Sequence, residues 1–113
     1  MVEGQALACF AALSQETRLR IVRLLVRAGS AGIAAGAVSD AVGVSASNVS
    51  FHLKELERAG LVSGRRQARS IVYSADFDAL SGLLQFLMED CCAGRPEICA
   101  PVAALPCCDR VAT

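Results

Sequence analysis

Aromatic residues are scarce in this 113-residue sequence, which has no Trp, one Tyr and four Phe although 54% of its residues are hydrophobic. A core must therefore be built from aliphatic side chains, which is typical of packed helices. One domain of this length buries only a modest core, so the apolar surplus indicates an oligomer. No apolar run approaches the ~20 residues that a membrane-spanning helix needs, so we expect no membrane partner.

A secretory signal is also missing, because the apolar run Ala6–Leu13 has no basic residues before it and continues into Ser-Gln-Glu. We therefore expect a cytoplasmic protein. Thiols stay reduced in that compartment. Six cysteines then indicate soft-metal binding or redox chemistry before structural disulfides.

Net charge is absent, since eleven basic residues balance eleven acidic ones. The charges are unevenly distributed, with five basic and two acidic side chains in residues 45–73 and two basic against six acidic in residues 74–113. Local positive charge is what phosphate binding requires, so a neutral total does not exclude a nucleic-acid partner.

Helical periodicity predicts a short apolar helix over 5–13 and a second helix with Ser14 as its N-cap, Glu16 in its first turn and Gly29 at its end. The second helix is predicted to have an apolar face of Leu19, Ile21, Val22, Leu24, Leu25 and Val26, with Arg18, Arg20, Arg23 and Arg27 in the other directions. We interpret these arginines as a solvated face, with contact of one or two of them to phosphate as the alternative.

Residues 35–60 have the pattern of a helix-turn-helix motif. A short helix over 35–42 is closed by Gly43, and a longer helix follows from Ser45 as N-cap to Gly60. Its core side is predicted to be Val49, Leu53, Leu56 and Ala59, with Phe51 or His52 at the edge. The predicted DNA contacts, suited to base edges and phosphates in a major groove, are Ser45, Ser47, Asn48, Ser50, His52 and Lys54. His52 fits packing or phosphate contact better than metal ligation.

A basic β-hairpin is predicted directly after this motif. Two short strands, Leu61-Val62 and Ser70–Tyr73, flank a turn over 64–69. Basic loops are often only solvated, but a hairpin in this position is typical of a wing that follows the DNA backbone. Its predicted phosphate contacts are Arg65, Arg66 and Arg69.

The last predicted helix starts at Asp76 as its cap and carries a broad apolar stripe of Phe77, Leu80, Leu83, Leu84, Leu87 and Met88. We interpret it as a dimerisation helix with residues 5–13 beside it, and packing within one protomer is the alternative. A two-fold dimer would place two recognition helices about one duplex turn, ~34 Å, apart.

The cysteines cluster after this helix. Adjacent helical residues point ~100° apart, so Cys91 and Cys92 can bind one ion together only where the helix frays. Gly94 and Pro96 follow them in the sequence and are expected to break the helix there. Cys99 can then fold back, and three thiolates suit a soft ion. A closed zinc site would want a fourth ligand, so three-coordinate As(III) fits better, with thiol oxidation as an alternative.

The other three cysteines do not share one predicted role. Cys107 and Cys108 could join this site, form another, or remain free thiols, and Cys9 is expected to be a small core residue. No activating histidine, CxxC motif or oxyanion nest accompanies the thiols, so we expect neither an enzyme nor a catalytic cofactor.

Three segments of the sequence stand out together: Ala12–Ile21 (ALSQETRLRI), Val49–Leu56 (VSFHLKEL) with Ala59–Val62 (AGLV), and Arg65–Tyr73. In combination they resemble the ArsR/SmtB family of bacterial metal-responsive repressors over most of the chain. The resemblance implies a mainly α (α+β) fold, a homodimeric winged helix-turn-helix formed through N- and C-terminal helices. It also implies a repressor that leaves its operator when an inducer binds, with residues 1–113 as one domain and 91–113 as its Cys-rich inducer-binding end.

The inducer expected from the resemblance depends on where the cysteines lie. Many arsenic sensors of the family carry cysteines on the first motif helix, but Ile33–Val38 has none, and the last helix lacks the histidines of zinc sensors. Cys91, Cys92 and Cys99 look like the three-thiolate site of another arsenic-sensing subgroup. The resemblance therefore implies an arsenic-resistance operon and As(III) as inducer, with Sb(III), an organoarsenical, Cd(II), Pb(II) or thiol oxidation as alternatives.

Overall fold

The computed structural model describes residues 1–88, and residues 89–113 lie outside the described part of the chain. The described part is mainly helical with one small antiparallel sheet, as predicted. Its elements are α1 (Glu3–Leu13), α2 (Glu16–Ala28), a 3₁₀ turn (Gly29–Ala31), β1 (Ile33–Ala34), α3 (Ala35–Val42), α4 (Ala46–Arg58), β2 (Val62–Gln67), β3 (Ser70–Ala75) and α5 (Phe77–Met88).

An aliphatic core forms where α2 and α4 pack against α3 and the sheet. Its largest fully buried side chains are Ile21, Leu25, Val38, Val49, Leu53, Leu56 and Leu61. Cys9 is also fully buried, and its thiol donates to the carbonyl oxygen of Ala59 at 3.5 Å. Burial raises the pKa of this thiol, so Cys9 is the small core residue that we predicted and not a reactive one.

The junction between α1 and α2 differs from the prediction, because Gln15 and not Ser14 is the N-cap of α2. Gln15 has the extended backbone that an N-cap needs, and its side-chain oxygen accepts from the Arg18 amide at 2.8 Å. The Ser14 hydroxyl instead donates to Ala11 O at 2.9 Å, at the end of α1. Arg18 Nε donates to Ala12 O at 2.8 Å, so Arg18 joins the two helices and is not simply solvated.

The apolar face of α2 is narrower than its sequence predicts. Ile21, Val22 and Leu25 are buried, whereas Leu19 and Val26 remain 46% and 40% exposed. Leu19 and Val26 are seven residues apart and therefore share one side of the helix. Neither side chain belongs to the buried core of residues 1–88, so the prediction was wrong for these two residues.

The sheet contains a strand that the sequence did not reveal. Ile33 and Ala34 of β1 pair with Tyr73 and Val72 of β3, which gives the antiparallel order β1-β3-β2. Gly32 permits this pairing, since its φ of 75° and ψ of −175° lie in a region open almost only to glycine. A Cβ on Gly32 would also lie 2.6 Å from Tyr73 O.

The hairpin is longer and tighter than predicted. Strand pairing continues to Gln67 and Ser70, so the turn consists of Ala68 and Arg69 alone. The predicted turn over 64–69 was therefore wrong in its extent. The Tyr73 ring lies over Gly64, where an added Cβ would be 2.9 Å from Tyr73 Cε1, and this cross-strand cover compensates for the poor strand propensity of glycine.

Helix α5 begins as predicted, with Asp76 Oδ1 accepting from the Ala79 amide at 3.0 Å. Leu83 is buried and Leu80 and Phe86 pack against the core. Helices α1 and α5 lie in contact and leave five large apolar side chains exposed. This α1–α5 apolar face consists of Leu7, Phe10, Phe77, Leu84 and Leu87.

Replacing Gly32 by Ala should lower the free energy of unfolding by at least about 2 kcal/mol, because the backbone conformation is strained for Ala and the methyl group meets Tyr73 O. The matched control is Gly36→Ala in α3, where an added Cβ meets no atom within 4 Å. That change should raise the free energy of unfolding by up to about 1 kcal/mol. Urea denaturation followed by circular dichroism measures both, and similar small effects in the two variants would contradict the assignment.

Candidate nucleic-acid interface

The turn between α3 and α4 is held by Ser39. Gly43 adopts the left-handed conformation, with φ 70° and ψ 33°, and the amides of Gly43 and Val44 donate to Ser39 O at 3.0 and 3.3 Å. The Ser39 hydroxyl donates to Val44 O at 2.5 Å. Three hydrogen bonds to one residue therefore fix the angle at which α4 leaves the turn.

The start of α4 is capped as predicted. Ser45 has an extended backbone, and its hydroxyl oxygen accepts from the Asn48 amide at 3.4 Å. The Ser47 hydroxyl lies 3.5 Å from that of Ser45. Both Ser47 and Asn48 are exposed, so their side chains are accessible at a helix N-terminus, where the helix dipole favours phosphate.

Helix α4 divides into a buried side and an exposed side. Val49, Leu53 and Leu56 are buried in the core. The structure brings the predicted contacts Ser47, Asn48, Ser50 and Lys54 onto the exposed side. The sequence placed either Phe51 or His52 at the edge of the core. His52 is half-buried and Phe51 is 56% exposed, so His52 is the residue at the edge.

His52 lies on the flank of α4 and is half-buried. Its Nδ1 atom is buried and has no hydrogen-bond partner within residues 1–88. Burial, and then the positive charge of Arg18, lower the pKa of His52, while Glu55 acts in the opposite direction. A neutral, half-buried imidazole fits the packing role better than the phosphate contact that we also considered.

The arginines of the hairpin have different surroundings. Arg65 Nη2 donates to Ala31 O at 2.7 Å, and Nη1 donates to Ser30 O at 3.5 Å. The Arg65 guanidinium thus joins β2 to the 3₁₀ turn. Arg66 and Arg69 are exposed, and neither forms an ion pair with another residue between 1 and 88.

Comparison with known proteins identifies this arrangement. A model of the helix-turn-helix domain matches residues 13–65. The HTH-type transcriptional regulator YgaV of Escherichia coli (strain K12) is 35% identical over 88 residues, which cover 78% of this chain and 87% of YgaV. The solved structure of an ArsR-like transcriptional regulator from Rhodococcus sp. RHA1 superposes with a TM-score of 0.68 at 29% identity, over 88% of this chain and 91% of that one.

This chain belongs to the ArsR-type family of winged helix-turn-helix transcriptional regulators. A second solved structure, the homodimeric winged helix-turn-helix DNA-binding domain Mb0332 from Mycobacterium bovis, has a TM-score of 0.63 at 29% identity, over 77% of this chain and 81% of that one. The family comprises DNA-binding regulators and is not an enzyme class. In this ArsR-type regulator α3 and α4 form the helix-turn-helix, and β2 and β3 form the wing.

A second basic surface lies beside the helix-turn-helix of this ArsR-type regulator. Arg20, Arg23 and Arg27 line a shallow cleft of about 280 Å³ with Leu24, Ala41 and Val42. Arg20 forms an exposed ion pair with Glu16 at 2.6 Å. The first helix of such a motif crosses the DNA backbone, and the cleft includes the end of α3. The solvated face that we predicted for these arginines, and the alternative that one or two of them contact phosphate, therefore both stay open to test.

The predicted inducer site falls outside the described residues, because Cys91, Cys92 and Cys99 lie beyond Met88, as do Cys107 and Cys108. The ligand set therefore stays a prediction. Within residues 1–88 no group of three or more metal-ligating side chains comes together. In the same part of the chain, no helix is long and apolar enough to cross a membrane.

The contrast between two neighbouring arginines gives a test of the wing. Arg66→Ala should leave stability unchanged and reduce the slope of log K against log salt by about one unit, because one phosphate contact is lost. Arg65→Ala should instead lower the free energy of unfolding by about 1 kcal/mol, since two backbone carbonyls lose their donor.

Fluorescence anisotropy with duplex DNA at several salt concentrations measures the slope, and urea denaturation measures the stability. An unchanged slope for Arg66→Ala would remove Arg66 from the DNA contacts. Full stability of Arg65→Ala would show that its hydrogen bonds to the 3₁₀ turn do not matter in solution.

Proposed function

We propose that this regulator is a homodimeric repressor of an arsenic-resistance operon, which releases its operator when As(III) binds Cys91, Cys92 and Cys99. DNA binding is supported by one observation, the exposed side of α4, which is polar, starts at a capped N-terminus and lies beside the wing. The role of As(III) as inducer is supported by the three cysteines that come after α5 in the sequence and by the preference of thiolates for soft ions.

The proposed DNA contacts follow from exposure and position. Side chains on the exposed side of α4 reach base edges and nearby phosphates, and wing arginines contact the backbone. The base-proximal set is Ser47, Asn48, Ser50 and Lys54, and the wing set is Arg66 and Arg69. Ser45, Arg65 and His52 act mainly as positioning residues. The Ser45 hydroxyl caps α4, the Arg65 guanidinium joins the wing to the 3₁₀ turn, and the Nδ1 atom of His52 is buried.

The α1–α5 apolar face supports a homodimer. Exposed Leu and Phe side chains on two helices in contact represent apolar area whose burial is worth ~25 cal/mol per Å². An isologous dimer covers the same face on both subunits. The homodimeric state of the similar Mb0332 domain agrees with this proposal, and two-fold symmetry pairs the two recognition helices with two half-sites.

Coupling between the two sites is proposed to run through α5. This helix extends to Met88, and Cys91 follows three residues later in the sequence. Gathering thiolates around one ion would act on the end of a helix that carries part of the dimer interface. A shift there changes the relative positions of the two recognition helices, and typical coupling of ~1–3 kcal/mol lowers operator affinity about 5- to 150-fold.

The dimer interface can be tested with two matched substitutions. Leu84→Lys should raise the dimer dissociation constant at least about 100-fold, because two-fold symmetry places the charge twice in an apolar interface. The control is Leu19→Lys, since Leu19 is 46% exposed against 49% for Leu84 but lies on α2. Sedimentation equilibrium measures both. A Leu84→Lys protein that remains as dimeric as the control would contradict the proposed interface.

Arsenite titration of the protein–operator complex tests the inducer. Wild-type affinity for operator should fall about 5- to 150-fold on arsenite binding, whereas the triple variant Cys91→Ser, Cys92→Ser, Cys99→Ser should bind DNA normally and ignore arsenite. Cys9→Ala is the matched control and should respond like wild type, because Cys9 is buried in the core.

Parallel titrations distinguish the inducer classes. Antimonite, methylarsenite, Cd(II) and Pb(II) compete for thiolates as ions, whereas an oxidant such as diamide acts by forming a disulfide and needs no ion. Release by arsenite that persists in the triple serine variant would show that the site is misassigned. A double variant of Cys107 and Cys108 to Ser tests whether those residues belong to the site.

A further inference from the structure

We propose that Phe51 is a specificity-determining residue of this regulator, which reads the 5-methyl group of thymine in the major groove. The proposal rests on the DNA-binding function and assigns a task to a residue that the sequence offered, as an alternative to His52, for the edge of the core. Its starting observation is that a Phe side chain, 56% exposed, lies among polar and charged side chains on the recognition helix.

The position of Phe51 on α4 follows from helix geometry. Val49 is 1% exposed, and Leu53 and Leu56 are fully buried, so the core lies on the Val49 side of the helix. Successive residues are separated by about 100°. Phe51, two residues after Val49, therefore points nearly opposite to the core, at the centre of the exposed side.

Polar residues surround the Phe51 ring. Helix neighbours lie three and four positions away, which places Ser47, Asn48, Lys54 and Glu55 around Phe51. The first three are exposed, and the half-buried Glu55 forms an ion pair with Arg58. A single apolar ring with a polar and charged rim does not resemble the α1–α5 apolar face, where several large apolar side chains are exposed on two helices in contact. The surroundings thus favour a nucleic acid over a protein surface as the partner.

The chemistry of the major groove supplies one apolar feature for such a ring. Among the base edges, only thymine carries a methyl group there, and apolar side chains including Phe contact it. A Phe side chain cannot hydrogen-bond to the other bases. Placed between hydrogen-bonding serines and an asparagine, Phe51 therefore adds a preference for thymine that those residues cannot provide.

His52 helps to hold Phe51 in place. The two rings meet edge to face, with centroids 5.5 Å apart and an interplanar angle of 64°. His52 is itself half-buried on the flank of α4. A favourable aromatic contact of this kind restricts the ring of Phe51 before DNA binds, and this lowers the entropic cost of ordering it at the interface.

The test begins with duplexes selected from a random-sequence library by the wild-type protein. Each thymine of the selected duplex is then replaced singly by deoxyuridine, which removes the methyl group and keeps the hydrogen-bonding pattern. At one symmetry-related pair of positions the replacement should weaken wild-type binding about fourfold per methyl, as expected for one buried methyl group. Fluorescence anisotropy measures the affinities.

Three variants decide whether Phe51 is responsible. Phe51→Gln should bind both duplexes equally with the salt dependence of wild type. Its melting temperature should fall by only a small amount, because the side chain is exposed and loses only its edge contact with His52. Phe51→Leu should keep part of the thymine preference. The matched control is Leu19→Gln on α2, also an exposed apolar residue, which should discriminate thymine from uracil like wild type.

The outcomes separate this inference from the DNA-binding function. If the wild-type protein selects a duplex but tolerates uracil everywhere, or if Phe51→Gln discriminates as wild type does, the assignment of Phe51 is overturned. If the wild-type protein selects no duplex at all, the DNA-binding function fails and the inference fails with it.

Discussion

One-sided burial of α4 is the constraint on which the rest of the structure depends. Val49, Leu53 and Leu56 anchor the helix in the core, while three hydrogen bonds to Ser39 fix the turn that precedes it. Aliphatic packing and a capped N-terminus together hold the opposite side rigidly toward solvent. A site on a rigid helix can present several short polar side chains to base edges without a large ordering entropy.

The remaining elements position the wing and leave one apolar face uncovered. Strand β1, admitted by Gly32, pairs with β3, and Arg65 joins β2 to the 3₁₀ turn. The basic hairpin is therefore tied to the body at two places. Helices α1 and α5 lie in contact and expose Leu and Phe side chains, so five of the eleven large apolar side chains that are exposed within residues 1–88 lie where the proposed dimer forms.

Much of the fold was predictable from local signals in the sequence. Long-range contacts explain most of the elements that were predicted wrongly. Ser45, Asp76 and Gly43 act within a few residues, so the sequence alone predicted these two caps and this turn correctly. It placed the cap of α2 one residue too early, because Ser14 and Gln15 are both polar residues at the same junction. Strand β1 depends on a partner some forty residues away, and Gly64 stays in β2 because Tyr73 covers it. The sequence left open whether Phe51 or His52 lies at the edge of the core, because hydrophobicity alone predicts burial of a Phe, and the reason that we propose for its exposure lies outside the chain.

We propose that thiolate coordination after α5 and DNA binding on α4 are coupled through the dimer. Linkage requires this coupling to be reciprocal. The most direct test is calorimetric titration of arsenite into the free protein and into the protein–operator complex. Operator DNA should weaken arsenite binding by the same factor by which arsenite weakens operator binding, about 5- to 150-fold. Equal arsenite affinity of the free and the DNA-bound protein would contradict it.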